Sequence, residues 1–185
     1  MNPQNVLILP GWKGSGPGHW QSLWQQTHCY RRVEQHDWMR PLRGDWLARL
    51  EDELLSIDVD STGPAVLVAH SLGCITVAAW AAHSQNTHRV KAALLVAPPD
   101  TEREDIRQIL TGWAPISKQV LPFKTLLIAS SNDPFCDAAR ARHLAHAWGA
   151  GFTDAGERGH LNAESGLGDW PEAHGELQRL MALPA

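Results

Sequence analysis

Two runs of the chain, 65–69 (AVLVA) and 92–97 (AALLVA), contain no polar residue at any position. A strand with one face in water alternates apolar and polar side chains, so an unbroken apolar strand has to be covered on both faces. Helices packed above and below a parallel sheet supply that cover. Two further short apolar runs bounded by Gly, Pro, Asn or Asp, at 6–9 and 125–129, add strands, and 30–35 and 151–154 are weaker candidates. Between these runs lie stretches with helical spacing. Trp46, Leu47, Leu50, Leu54 and Leu55 recur at three- and four-residue steps and predict an amphipathic helix over 43–57. The alanine-rich stretch 75–83 is apolar nearly all round, as suits a helix inside a layered fold. Helices over 137–148 and 171–181 complete the set, the second opening on Pro171. The pattern is α/β: one domain over 1–185, about six mostly parallel strands and helices on both faces, with 6–9 a central strand.

Composition narrows the function classes. Apolar residues make up 43% and charged residues 19% of the 185, which excludes intrinsic disorder. The net charge is −4, and no basic block is present, so nucleic acid or an anionic membrane is not expected as the main partner. No apolar run approaches the roughly 20 residues of a bilayer span, and the first residues lack a basic signal region. Three cysteines, Cys29, Cys74 and Cys136, are odd in number and show no CxxC spacing. Neither a zinc site nor a disulfide framework is implied, and a cytoplasmic location fits.

The chemistry begins after the strand at 65–69. Ala69-His70-Ser71-Leu72-Gly73 leads directly into an alanine-rich helix, the strand–turn–helix setting of a nucleophile elbow, G-x-S-x-G. The sharp turn asks for small residues two before and two after the serine; Gly73 meets that demand and Ala69 meets it with one extra methyl. The alternative is a serine that merely N-caps a helix. A serine nucleophile needs a base, and the base needs an orienting acid, in the chain order serine, acid, histidine. Asp133 follows the strand at 125–129 in the turn Ser131-Asn132-Asp133-Pro134-Phe135, and His160 follows 151–154 in a mobile, Gly-flanked loop. Asp100, also after a strand, is the rival acid, though Pro98-Pro99 stiffens its loop. His143 and His146 have i, i+3 spacing that could hold a metal, but no further ligands accompany them, so a solvated helix face is the simpler reading. His70 reads as a packing or hydrogen-bonding residue.

The Gly-rich loop 11–18 has three readings. It gives G-x-G-x-G rather than the dinucleotide G-x-G-x-x-G, and Pro17 removes an N–H donor that a pyrophosphate would use. A surface loop is the plainest reading. The third is an oxyanion hole, with the Trp12 amide paired to that of Leu72. Of the nine tryptophans, Trp12, Trp38 and Trp113 fall in post-strand loops and, with Phe135, could wall an acyl pocket; Trp24, Trp46, Trp80 and Trp148 read as core.

The run 159–171 (GHLNAESGLGDWP) resembles the segment around the catalytic histidine in the small serine hydrolases of the retinoblastoma-binding protein 9 and YdeN family. Pro10-Gly11-Trp12 with Gly18-His19-Trp20, the elbow through Cys74, and 131–135 are similar to the same family. The resemblance covers essentially the whole chain and implies a compact α/β-hydrolase fold and a triad of Ser71, Asp133 and His160, in agreement with the residue-level reading. Ala69 in place of glycine is the departure from the broader elbow pattern. The expectation is therefore a serine hydrolase acting on a small ester, thioester or amide, with Trp12, Trp38 and Phe135 around the acyl group. No metal or cofactor is implied, and 97–125, with one short helix around 102–111, is too short for a lid domain. A protein-interaction module with a protein partner and a vestigial site, or a flavodoxin-like nucleotide binder, are the rival classes.

Overall fold

A computed structural model describes residues 2–184. Six strands form one sheet: β1 (Val6–Leu9), β2 (Arg31–Arg32), β3 (Ala65–His70), β4 (Val90–Val96), β5 (Lys124–Ala129) and β6 (Gly151–Asp154). Their order is β2-β1-β3-β4-β5-β6, and every pairing is parallel. Because side chains alternate across a strand, the apolar runs feed two separate cores. Leu7, Leu9, Leu67 and Ala69 face a layer containing α2 (Arg43–Leu55), α4 (Leu72–Ala81) and α6 (Ala138–Trp148). Val6, Ile8, Val66 and Val68 face α1 (Trp20–His28) and α7 (Pro171–Ala182). The helices predicted at 43–57, 75–83, 137–148 and 171–181 are all present, with shifted ends. The largest shift is in α4, which starts at Leu72 because the elbow turns straight into helix.

Three features depart from the sequence expectations. The candidate strand at 30–35 contributes only Arg31 and Arg32, as an edge strand whose ladder ends where the Val33 amide donates to the Ile8 carbonyl at 2.9 Å. That places β1 inside the sheet but next to its edge, with β3 and β4 at the centre. Helix α1 and the single turn α3 (Val59–Thr62) were not marked by the periodicity; α1 has only Trp20 and Trp24 as large apolar anchors, and its fully buried Gln21 breaks the pattern.

The chain leaves β1 toward β2 on one side and returns to β3 on the other. Where strand order reverses in this way, a crevice opens beyond the carboxyl ends of the strands. Gln21 bridges β1 and β3. Its Nε2 donates to the carbonyls of Leu9 (3.2 Å) and Val68 (3.0 Å), and its Oε1 accepts from Ser15 Oγ (2.7 Å). Between β4 and β5 the described residues hold one short helix, α5 (Glu104–Ile109), and no lid domain. No helix among the described residues is long and apolar enough to cross a membrane.

Candidate active site

Ser71 stands at the end of β3 with φ 53° and ψ −123°, a conformation that non-glycine residues rarely adopt and that is worth roughly 1–3 kcal/mol of strain. Its amide is held by the Val96 carbonyl at 2.9 Å. Although Ser71 occupies the N-cap position of α4, its hydroxyl makes no capping bond. It lies 2.8 Å from His160 Nε2 instead. The demand for small residues around the elbow falls unequally. A side chain on Gly73 would collide with the Leu9 carbonyl, so the pressure comes from the end of β1; the Ala69 methyl is accommodated in the core. Gly11 is under the same constraint, since a Cβ there would lie 2.6 Å from that of Ser71.

The other two candidates meet this serine. His160 Nδ1 lies 2.9 and 3.0 Å from the two carboxylate oxygens of buried Asp133, one of which also accepts the Phe135 amide at 2.9 Å. Asp100 is directed elsewhere: its carboxylate pairs with Arg140 at 3.2 Å, and its amide donates to the Phe135 carbonyl. It therefore supports the loop that carries Asp133 without facing the imidazole. The loop expected to be mobile is tied down on all sides. His70 Nε2 donates to the His160 carbonyl (2.9 Å), Trp20 Nε1 to that of Leu161 (2.8 Å), and the Gly159 amide to Asn132 Oδ1 (2.7 Å). The glycines flanking His160 serve conformation rather than motion; Gly159 has φ 60°.

Behind His160 lie two buried histidines, His70 and His19, with ring centroids 4.7 Å apart. Burial, with a smaller contribution from each other's charge and that of His160, holds the His70 imidazole well below the usual histidine range. Burial is also the main cause that lowers His19 to about 4, followed by the charges of His160 and Arg32. His19 Nδ1 accepts the Gln21 amide at 3.1 Å and so caps α1, while Nε2 has no partner among the described residues. Between pH 6.5 and about 4 the unfolded chain binds a proton at this position that the folded chain does not. Acid therefore favours unfolding across that window, by about 3 kcal/mol at its lower end at roughly 1.36 kcal/mol per pH unit. His19→Asn, which keeps a capping acceptor, is expected to lose less stability than the wild type between about pH 7 and about pH 4 in urea titrations. Equal losses would refute the assignment.

The amides of Trp12 and Leu72 donate to no acceptor among the described residues. Leu72 is the first residue of α4, where an N–H has no helical partner, and Trp12 follows Gly11, which packs against Ser71. Beside the serine lies an open cavity of about 300 Å³ bordered by Trp12, Pro99, Ile106, Ile109, Leu110 and Phe135, with Lys13, Asn162 and Glu164 at its rim. Trp12 and Phe135 thus border the cavity as expected, but Trp38 does not. Its ring packs edge-on to Trp46 at 5.5 Å and under Arg32, behind the loop whose Lys13 amide its carbonyl accepts. Trp113 is fully buried and donates to the Pro41 carbonyl, as a core residue. The wall supplied by α5 was missed, although Ile106, Ile109 and Leu110 have the i, i+3, i+4 spacing of one helix face. Trp24, Trp46, Trp80 and Trp148 are core, and His143 and His146 are exposed on α6. Burial raises the Cys74 thiol and pushes that of Cys136 up to about 12, so neither is a ready nucleophile.

Comparison with known proteins accords with this geometry. A family model described as Serine hydrolase matches residues 6–179. A YdeN-like hydrolase of Pectobacterium atrosepticum is 30% identical over 97% of this chain and 92% of its own, with a TM-score of 0.82. The ydeN gene product of B. subtilis, 20% identical over 96% and 98% of the two chains, superposes with a TM-score of 0.75. A hydrolase of the α/β superfamily from Xanthomonas campestris, 20% identical over 94% and 97%, shares the fold with a TM-score of 0.61. No curated protein matches the sequence. The α/β-hydrolase fold, the match along nearly the whole chain and the likeness to the Pectobacterium protein agree: the chain belongs to the family of small, YdeN-like serine hydrolases.

Proposed function

We propose that the protein hydrolyses small carboxylic esters through an acyl-enzyme, with Ser71 as nucleophile, His160 as general base and acid, and Asp133 as the orienting carboxylate. The observation that carries the reading is the unbroken chain of hydrogen bonds from Asp133 through His160 to Ser71, beginning in a buried carboxylate and ending on a strained serine. With its Nδ1–H donated to Asp133, the imidazole presents a lone pair at Nε2 toward the hydroxyl. As Ser71 Oγ bonds to the ester carbon, its proton passes to His160 Nε2, and the carbonyl oxygen becomes an oxyanion. The free amides of Leu72 and Trp12 are the donors available for that charge. Collapse expels the alcohol oxygen, which takes the proton from Nε2. Water then repeats the sequence on the acyl-serine, releasing the acid and restoring the hydroxyl.

A fluorophosphonate probe tests the reading directly. One label per chain is expected on the peptide carrying Ser71; a label on another serine, or none, would refute the assignment.

The cavity beside Ser71 sets an expectation for the acyl group. Each methylene contributes roughly 0.8 kcal/mol, about fourfold in kcat/KM, only while it is buried. Ile109 and Phe135, 58% and 38% exposed, mark where the apolar wall meets water. For p-nitrophenyl esters kcat/KM is expected to rise over the first few acyl carbons and then level off or fall, with no jump at the micelle concentration. A steep preference for long chains with activation at the lipid surface would contradict this.

A further inference from the structure

We propose that His160 divides the cleft into two unlike halves, and that the half beyond it receives an uncharged, hydroxyl-rich leaving group, making the preferred substrate a short-chain ester of a polyol. The inference rests on the serine-hydrolase mechanism proposed above and concerns which substrate that same site selects.

The first half is the apolar cavity already described, the one that Ser71 borders. A second cavity, of about 480 Å³, adjoins the first at Phe135 and His160, whose ring centroids are 4.5 Å apart. It is bordered by the imidazole but not by Ser71; Phe135, His160, Asn162 and Glu164 border both cavities, whereas Glu157 and Arg158 border only this one of the two. The mechanism assigns the two halves. The acyl carbon is bonded to Ser71 Oγ, so its chain lies where the serine opens, against Ile106, Ile109 and Leu110. The departing oxygen takes its proton from His160 Nε2, so the group attached to it lies past the imidazole.

The chemistry of that second half is polar and unspent. The backbone of its wall is fixed: the Arg158 amide donates to Ser130 Oγ (2.9 Å), Ser165 Oγ donates to the Arg158 carbonyl (2.6 Å), and the Glu164 amide donates to Asn162 Oδ1 (3.0 Å). The Arg158 guanidinium, the Asn162 amide nitrogen and the carboxylates of Glu157 and Glu164 have no hydrogen bond or ion pair among the described residues. Donors and acceptors thus line one rigid wall. A carboxylate or phosphate leaving group would face two carboxylates for one guanidinium. A quaternary ammonium would be drawn by the carboxylates and repelled by the guanidinium, and it has neither a donor nor an acceptor to offer the wall. Neighbouring hydroxyls can donate to Glu157 or Glu164 and accept from Arg158 or Asn162 at the same time.

The test compares butyrate esters of glycerol, 1-propanol, choline and glycolic acid, with each kcat/KM divided by the rate constant for hydroxide hydrolysis of the same ester. The glycerol ester is expected to exceed the propyl ester at least about tenfold and to exceed both charged esters. In the double variant Glu157→Gln, Arg158→Gln the glycerol-to-propyl ratio is expected to fall at least about threefold. A propyl ester that matches the glycerol ester, a charged ester that surpasses it, or a ratio unchanged in the variant would overturn the inference. Labelling by the fluorophosphonate in the same preparation separates the two levels. Protein labelled at Ser71 without polyol preference refutes this inference alone; protein not labelled there refutes the mechanism and the inference together.

Discussion

Ser71→Ala is expected to lower kcat for p-nitrophenyl butyrate by about 10⁶, the scale seen when a triad loses its nucleophile. The substitution removes only Oγ. Its backbone strain is unchanged, because alanine carries the same Cβ into the same φ, and the Val96 bond to the residue 71 amide persists. The circular dichroism and urea midpoint of the variant should therefore stay near those of the wild type while turnover collapses. A variant that folds and keeps activity within about a hundredfold would remove Ser71 from the chemistry.

Asp133→Asn should lower kcat by about 10⁴, for a different reason. The carboxylate accepts Nδ1–H and leaves the Nε2 lone pair facing the serine. An asparagine that donates its amide to Nδ1 holds the imidazole with its proton on Nε2, where it cannot accept one from the hydroxyl. Asp100→Asn should leave kcat within about threefold, since a disturbance near 1 kcal/mol is less than tenfold in rate. Asp100 acts on the Phe135 carbonyl through its own amide, which the substitution keeps, and its carboxylate faces Arg140. Reversed results would move the orienting acid to the end of β4.

The layered fold was legible because its strands announce themselves: the runs 65–69 in β3 and 92–96 in β4 have no polar position, and each strand is followed by a turn. The three residues that meet at the site were legible for a related reason. Each follows a strand, and in a parallel sheet all post-strand loops converge on one edge. What stayed hidden depends on partners distant in sequence. Nothing near Gly73 reveals that the Leu9 carbonyl presses on it, and the role of Gln21 needs the ends of β1 and β3 to be adjacent. Trp38 failed as a pocket residue because position after a strand says which edge a residue occupies, not which way its ring turns. Here the neighbours Trp46 and Arg32 decided that. The helix expected around 102–111 is present as α5, but its role as the acyl-side wall, which the spacing of Ile106, Ile109 and Leu110 could have shown, was not read from it. The glycines around His160 suggested freedom. The bonds that immobilise it come from His70, Trp20 and Asn132, on three other segments.

On the acyl-enzyme mechanism proposed above, the single short helix α5 has a kinetic consequence. An enzyme that shields its covalent intermediate under a closing cover can choose the acceptor, admitting an alcohol or amine while bulk solvent is held outside. With Ile109 more than half exposed and one helix of six residues between β4 and β5, the described residues offer this cleft no such screen. The bulk solvent, at its overwhelming concentration, reaches an acyl group on Ser71 as readily as any other acceptor. On the proposed mechanism such architecture favours hydrolysis of the intermediate over transfer, and it lets substrate and product exchange without waiting for any part of the chain to open.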